Sequence, residues 1–166
     1  KVQPNSPEAE QSVIGAMIMD RDAIADVIDI VSADDFYQKQ NGILFEAMTE
    51  LYREGKPVDL VTLQNKLKKK DVPESMKSLE FIRDLLEAVP TSANAKQYAK
   101  IVSEKATLRK LIKVTEDITT ECYLGKDDVT EILDHTEKNV FGLLQQASGR
   151  EDFVPIDKVV LNTLDA

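Results

Sequence analysis

Apolar residues recur at three- and four-residue intervals along almost the whole chain, a period that predicts helix after helix. Ser6 is a ready cap, Pro7 suits the first helical position, and Glu8 and Glu10 favour the positive end; Val13, Ile14, Met17 and Ile18 then supply an apolar face. Asp20 to Val31 carries Ala23, Ile24, Val27, Ile28 and Val31 on one face. Asp35-Phe36-Tyr37 reads as a short aromatic connector. Gly42 to Arg53 turns Ile43, Leu44, Ala47, Met48 and Leu51 inward and stops at Gly55-Lys56-Pro57. Asp59 caps Leu60 to Lys70, with Leu60, Leu63 and Leu67 in register. Beyond Pro73, Leu79 to Glu87 presents Leu79, Ile82, Leu85 and Leu86. These short helices predict a compact all-α head over residues 1–92.

Pro90-Thr91-Ser92-Ala93-Asn94 breaks the pattern, and a different architecture follows. Residues 95–122 hold no proline or glycine, which predicts a helix roughly 40 Å long. Gly125 with Asp127 and Asp128 makes a turn and a new cap. A second helix runs to about Ala147, with Val129, Ile132, Leu133, Thr136, Val140, Leu143 and Leu144 at helical spacing. Two long helices across so short a turn form an antiparallel hairpin, residues 93–148. Ile101, Leu108, Leu111, Ile112, Val114, Ile118 and Cys122 cover roughly half the circumference of its first helix. One neighbour needs only an apolar stripe a little over ~100° wide. The hairpin also extends past what the head can flank, so the surplus arc is expected to meet another chain. Ser148 to Asp152 is a polar hinge. After it, Ile156, Val159, Val160 and Leu164 make a short amphipathic helix with little core of its own, expected to dock elsewhere.

Composition narrows the function more than the fold. With 42% apolar and 31% charged residues the chain is ordinary globular material. A net charge of −9 repels phosphate backbones, which argues against tight nucleic-acid binding by this chain alone. The local basic runs Lys66, Lys68, Lys69 and Lys70, then Lys100, Lys105, Arg109, Lys110 and Lys113, read as solvated helix faces. Cys122 is the single cysteine and reads, beside Ile118 and Tyr123, as a small buried hydrophobe in a reducing compartment. No apolar run reaches membrane-spanning length, and a cytoplasmic location is expected. The chain opens without methionine and stops within a helical pattern, as a piece of a longer protein would.

No catalytic constellation emerges. The six glycines form no G-x-x-x-x-G-K-[ST] phosphate loop. His135 is the one histidine; Glu131 four residues before it supplies half a metal site, no second histidine completes it, and a polar helix face is the better reading. Asp34-Asp35, Glu116-Asp117 and Asp127-Asp128 read as caps or solvated faces. No triad and no aromatic stacking platform are present.

The string Pro4-Asn-Ser-Pro-Glu-Ala-Glu-Gln-Ser-Val-Ile-Gly-Ala-Met17 closely resembles the opening of the bacterial replicative DNA helicases of DnaB type. Asp35-Phe36-Tyr37, Ile43 to Ala47, Asp59 to Leu63, Val89 to Asn94, Tyr98 to Val102, Glu104 to Ala106 and Leu108 to Ile112 continue the likeness in order. Asn41 and Gly42 depart from it, standing where the family usually has a histidine and then a polar residue. The resemblance implies an all-helical head followed by a helical hairpin, hairpins paired between subunits, and a collar of three dimers on a hexameric ring. It further implies that the collar docks the C-terminal domain of primase, with a helicase loader as another potential partner. ATP, magnesium and the main grip on DNA would belong to a RecA-like motor domain lying beyond residues 149–166, which look like the start of its linker.

Within that frame the candidate contact residues are Leu111, Ile112 and Ile118 on the hairpin, with Phe81 in the head left over once Leu79, Ile82, Leu85 and Leu86 are spent inward. Glu8 is a candidate rim charge. Core residence is the competing reading for Phe81 and both isoleucines. The competing function is a free-standing helical adaptor or regulatory protein that dimerises through its hairpin.

Overall fold

The computed structural model describes residues 1–87 and 94–148, and every regular element among them is helical. In order these are α1 (Pro7–Met19), α2 (Arg21–Ile28), a 3-10 turn (Ala33–Asp35), α3 (Lys39–Arg53), α4 (Leu60–Lys68), a second 3-10 turn (Glu74–Lys77), α5 (Leu79–Glu87), α6 (Ala95–Leu124) and α7 (Val129–Ser148). The chain divides into two compact units, Lys1–Ala106 and Thr107–Ala166. The hinge and terminal helix expected over residues 149–166, with Ile156, Val159, Val160 and Leu164, lie outside the described residues.

In the first unit α1 is the central element. Ser6 Oγ accepts from the Ala9 amide and Pro7 opens the helix, as the local pattern dictates. Its interior is enclosed on nearly all sides: Ala9, Glu10, Val13, Ile14, Gly15, Ala16 and Met17 are buried, which a helix with neighbours on several faces requires. α2, α3 and α5 pack against it. Ile24, Leu44, Met48, Leu63, Leu67 and Ile82 complete the core; each such side chain contributes about 1.5–3 kcal/mol on burial.

Three boundaries differ from the periodic reading. α2 ends at Ile28, not Val31; the amides of Ile30 and Val31 both turn back to the Val27 carbonyl, which keeps Val31 buried without continuing the helix. α3 begins at Lys39, three residues before Gly42, because a group from another helix caps it. Buried Glu10 of α1 accepts hydrogen bonds from the amides of Tyr37 (2.8 Å) and Gln38 (3.1 Å) and from Asn41 Nδ2 (3.1 Å). A carboxylate at the amino end of α3 satisfies otherwise orphaned donors and complements the helix dipole. Third, the division between units falls inside α6, since Ala95, Ala99, Val102, Ser103 and Ala106 are buried. The head uses the first turns of α6, where the sequence reading ended it at residue 92.

Asn41 and Gly42 also find their reason here. Asn41 holds the Glu10 carboxylate, and a Cβ at position 42 would meet the Ala33 carbonyl oxygen at 2.8 Å. Backbone lies where a larger side chain would go.

Of the first basic run, Lys68 and Lys69 are exposed, while Lys66 and Lys70 are ion-paired. Lys66 pairs with Glu54 (2.6 Å) and Glu50 (3.3 Å), and Lys70 with Glu50 (2.9 Å) and Glu46 (3.3 Å), a ladder that ties α4 to one face of α3. Hydrogen bonds from Lys66 and then Lys56 hold the Glu54 carboxyl down at about 2, and Lys70 and Lys66 hold Glu50 low despite its desolvation. A depressed carboxylate stabilises the fold above its unfolded value and loses that contribution as pH falls through the folded one. The Glu54 contribution therefore vanishes between about 4.5 and about 2. Thermal melts should show an acid-induced drop in this window that is shallower in Glu54→Gln; identical slopes would show that solvent has screened the ladder away.

Candidate interaction surfaces

The second unit carries the exposed chemistry. Its hairpin has a seam of half-buried residues: Thr107, Lys110, Val114, Ile118 and Glu121 from α6, and Ile132, Thr136, Val140, Leu143 and Ala147 from α7. Their spacing of three and four on each helix is that of two antiparallel helices packed along a stripe. At the end of the hairpin away from the turn, Thr107, Lys110, Leu143, Gln146 and Ala147 border one small crevice, fixing the register there.

Beside this seam runs a second stripe that the hairpin itself leaves uncovered. On α6, Leu108 and Leu111 are 45% and 41% exposed, followed by exposed Thr115, Thr119 and Cys122. On α7, Leu133, Phe141 and Leu144 are 63%, 57% and 37% exposed. At 100° per residue each stripe is displaced by roughly 90–110° from its own seam, in the same sense along each chain. In antiparallel helices, equal displacements of that kind fall on one side of the pair. Leu108, Leu111, Phe141 and Leu144 therefore make one apolar face, of the sort that marks a protein contact.

This divides the candidate residues in a way the sequence left open. Leu111 is on the exposed face. Ile118 belongs to the hairpin's own seam, and Ile112 is half-buried at the margin of the exposed stripe. In the first unit Phe81 is half-buried and packs on the core, sharing its ring between core and solvent, while Glu8 is exposed in the first turn of α1. Leu108 lies within the wide apolar arc that the spacing predicts for α6. Phe141 was missed, because it lies off the spacing that defines the α7 seam. The available signal was a large aromatic on the polar side of an otherwise regular helix.

Cys122 corrects an expectation: it is exposed, not a buried hydrophobe. Sequence neighbours on a helix point ~100° apart, so Tyr123 beside it was no evidence of shared burial, and Tyr123 is itself exposed. His135 also has a different partner from the one its spacing suggested. Its Nδ1 lies 2.8 Å from Glu121 Oε1 across the hairpin, with Glu131 uninvolved. That carboxylate, with smaller contributions from Asp127 and Asp134, holds the imidazole above its ordinary range. No helix among the described residues is long and apolar enough to cross a membrane.

Residues 2–104 match the family described as the DnaB-like helicase N terminal domain. The chain is 34% identical over 165 residues to the replicative DNA helicase DnaC of Bacillus subtilis, covering 99% of this chain and 36% of that protein. It is 33% identical over 165 residues to the replicative DNA helicase DnaB of Leifsonia xyli, with the same coverage of both. It thus spans about a third of the length of these curated relatives. Among solved structures, the N-terminal domain of DnaB helicase from Mycobacterium tuberculosis superposes with a TM-score of 0.79 at 34% identity, over 85% of this chain and 99% of that one. The N-terminal domain of DnaB helicase from Helicobacter pylori, described together with its interactions with primase, shares the fold at a TM-score of 0.60 and 24% identity, over 70% of this chain and 90% of that one.

Proposed function

Because the chain belongs to the DnaB-like helicase N-terminal domain family, we propose that it is the collar module of a replicative DNA helicase, joining subunits and docking primase. The observation that carries this reading is the uncovered apolar face of the hairpin, Leu108, Leu111, Phe141 and Leu144. Two such faces packed together bury side chains that water otherwise surrounds, and the driving force is the area removed from solvent. Pairing of hairpins gives dimers, and three dimers form the collar of a hexamer.

The unwinding activity, ATP and magnesium are assigned to a motor domain on the same polypeptide. The 166 residues present do not fit a nucleotide site, having no phosphate loop, so no chemical step is placed on them. DNA is gripped mainly by that motor, in keeping with the −9 charge of this region, and the protein works at the replication fork in the cytoplasm. A helicase loader is a further partner of the assembled ring. Residues 149–166 form the linker, with Ile156, Val159, Val160 and Leu164 as its docking residues.

Primase docking needs anchors that the domain's own packing does not consume. Ile112, and the part of the Phe81 ring that the core leaves in solvent, qualify, and exposed Glu8 supplies a rim charge acting mainly on the association rate. Titrating the C-terminal domain of the cognate primase into this chain should give saturable binding. Alanine at Ile112 or Phe81 should weaken it by about 1 kcal/mol or more; Ile112→Ala should do so with little change in melting, whereas Phe81→Ala also gives up the ring's contact with the core. Ile118→Ala should instead lower stability, because Ile118 lies in the seam. Absence of binding at any attainable concentration would remove primase from the proposal and leave the assembly role standing alone.

A further inference from the structure

We propose that the hairpin tip is a binding site for a divalent transition-metal ion, zinc by chemical class, formed by Glu121, Asp127 and His135. These residues come from the end of α6, the connecting turn and the second turn of α7. Each offers one ligand atom, and the three atoms lie within 4.8 Å of one another. Zinc bonds to imidazole nitrogen and carboxylate oxygen at about 2.0–2.2 Å, which puts the ligands of a tetrahedral site on the order of 3.4 Å apart. His135 and Asp127 are exposed and Glu121 is half-exposed, which leaves their side chains room to rotate toward that spacing.

The donor set selects the metal. An imidazole with two carboxylates suits zinc and its first-row neighbours, whereas magnesium and calcium prefer oxygen alone. The hydrogen bond between His135 Nδ1 and Glu121 Oε1 brings a ligand atom from each arm to within 2.8 Å of the other, and a metal ion would take the place of the proton they share. The surroundings favour a cation: eight acidic residues face two basic ones between Thr115 and Lys138. Three protein ligands leave a fourth position for water. Bound there, the ion fastens the two arms of the hairpin at the tip, where hydrophobic packing is poorest and Tyr123, Leu124 and Val129 are exposed. A metal that binds the folded arms and not the unfolded chain stabilises them by mass action. The i,i+4 pair Glu131–His135, the half-site legible in the sequence, is not used.

The test is a titration of the chelator-stripped, tag-free 166-residue chain with cobalt(II) as optical probe, followed by zinc with calorimetric detection. Tetrahedral cobalt absorption in the visible should grow to one ion per chain and be bleached by zinc. It should be lost in His135→Gln and in Asp127→Asn and persist unchanged in Cys122→Ser, with no thiolate charge-transfer band in the near ultraviolet. Zinc should raise the melting temperature of the parent chain but not of His135→Gln. Absence of one-to-one uptake, or uptake that survives His135→Gln, would overturn the site.

Discussion

Leu111→Asp combined with Phe141→Asp should abolish the proposed self-association of the chain while leaving its helicity and melting transition nearly unchanged. Both side chains are exposed within a single chain, Leu111 at 41% and Phe141 at 57%, so aspartate there meets water and costs the isolated fold little. In the proposed pair the same positions would be buried between two apolar faces. An uncompensated carboxylate in such a place costs several kcal/mol, and every ~1.4 kcal/mol is tenfold in the dissociation constant. A weakening of ~100-fold or more is expected from the pair. Ile118→Asp is the contrast: its charge enters the seam between α6 and α7, so helicity and melting should fall whether or not chains associate. If the Leu111/Phe141 variant sediments like the parent, the exposed stripe is not the contact.

Glu10→Ala should destabilise the first unit by about 3 kcal/mol, which for a chain of this length lowers the melting temperature by roughly 6–12 °C. The change does more than trim a side chain. It takes the acceptor from the part-buried amides of Tyr37 and Gln38 and from the buried Asn41 amide group. It also removes a negative charge from the amino end of α3. Glu10→Gln keeps one acceptor but turns an NH2 toward donors, so an intermediate loss is expected. A shift of under about 0.5 kcal/mol for Glu10→Ala would mean that water replaces the carboxylate at no cost, and that α3 does not depend on its partner helix for a cap.

Glu10 and Gly42 mark the division between what is legible in the sequence and what is not. The start of α1 could be read because its signals are local: Ser6, Pro7 and the apolar positions that follow lie within three turns. α4 was equally legible, since the Asp59 side chain accepts from the amides of Val61 and Thr62 within the same segment. The start of α3 was not, because its cap arrives from Glu10, some thirty residues earlier. In sequence Glu10 looks like any acidic residue in a first helical turn. Gly42 likewise looked like a helix start; its reason is the Ala33 carbonyl facing it.

The hairpin shows the same limit at its surface. Periodicity established that Leu108, Leu111, Ile112, Val114, Ile118 and Cys122 cover too wide an arc for one partner. It did not divide that arc, because the angle at which α7 lies depends on the turn and on packing, neither of which is a property of α6 alone. With α7 in place, Val114 and Ile118 go to the seam and Leu108 and Leu111 remain outside. The family likeness implies a role for the hairpin in joining subunits, and the structure separates the residues its own seam uses from those left exposed. The same holds for His135, whose cross-hairpin neighbour Glu121 is fourteen residues away and whose helical neighbour Glu131 is a bystander.

The central claim is that the exposed face of the hairpin joins copies of this chain, and sedimentation of the unaltered chain over a wide concentration range tests it most directly. The weight-average mass should rise with concentration from the 18.6 kDa protomer toward species of two or more chains, in a transition centred in the micromolar range or below on the order of typical specific interfaces. A single 18.6 kDa species persisting to roughly 0.1 mM, a concentration at which even a weak interface is half occupied, would contradict it.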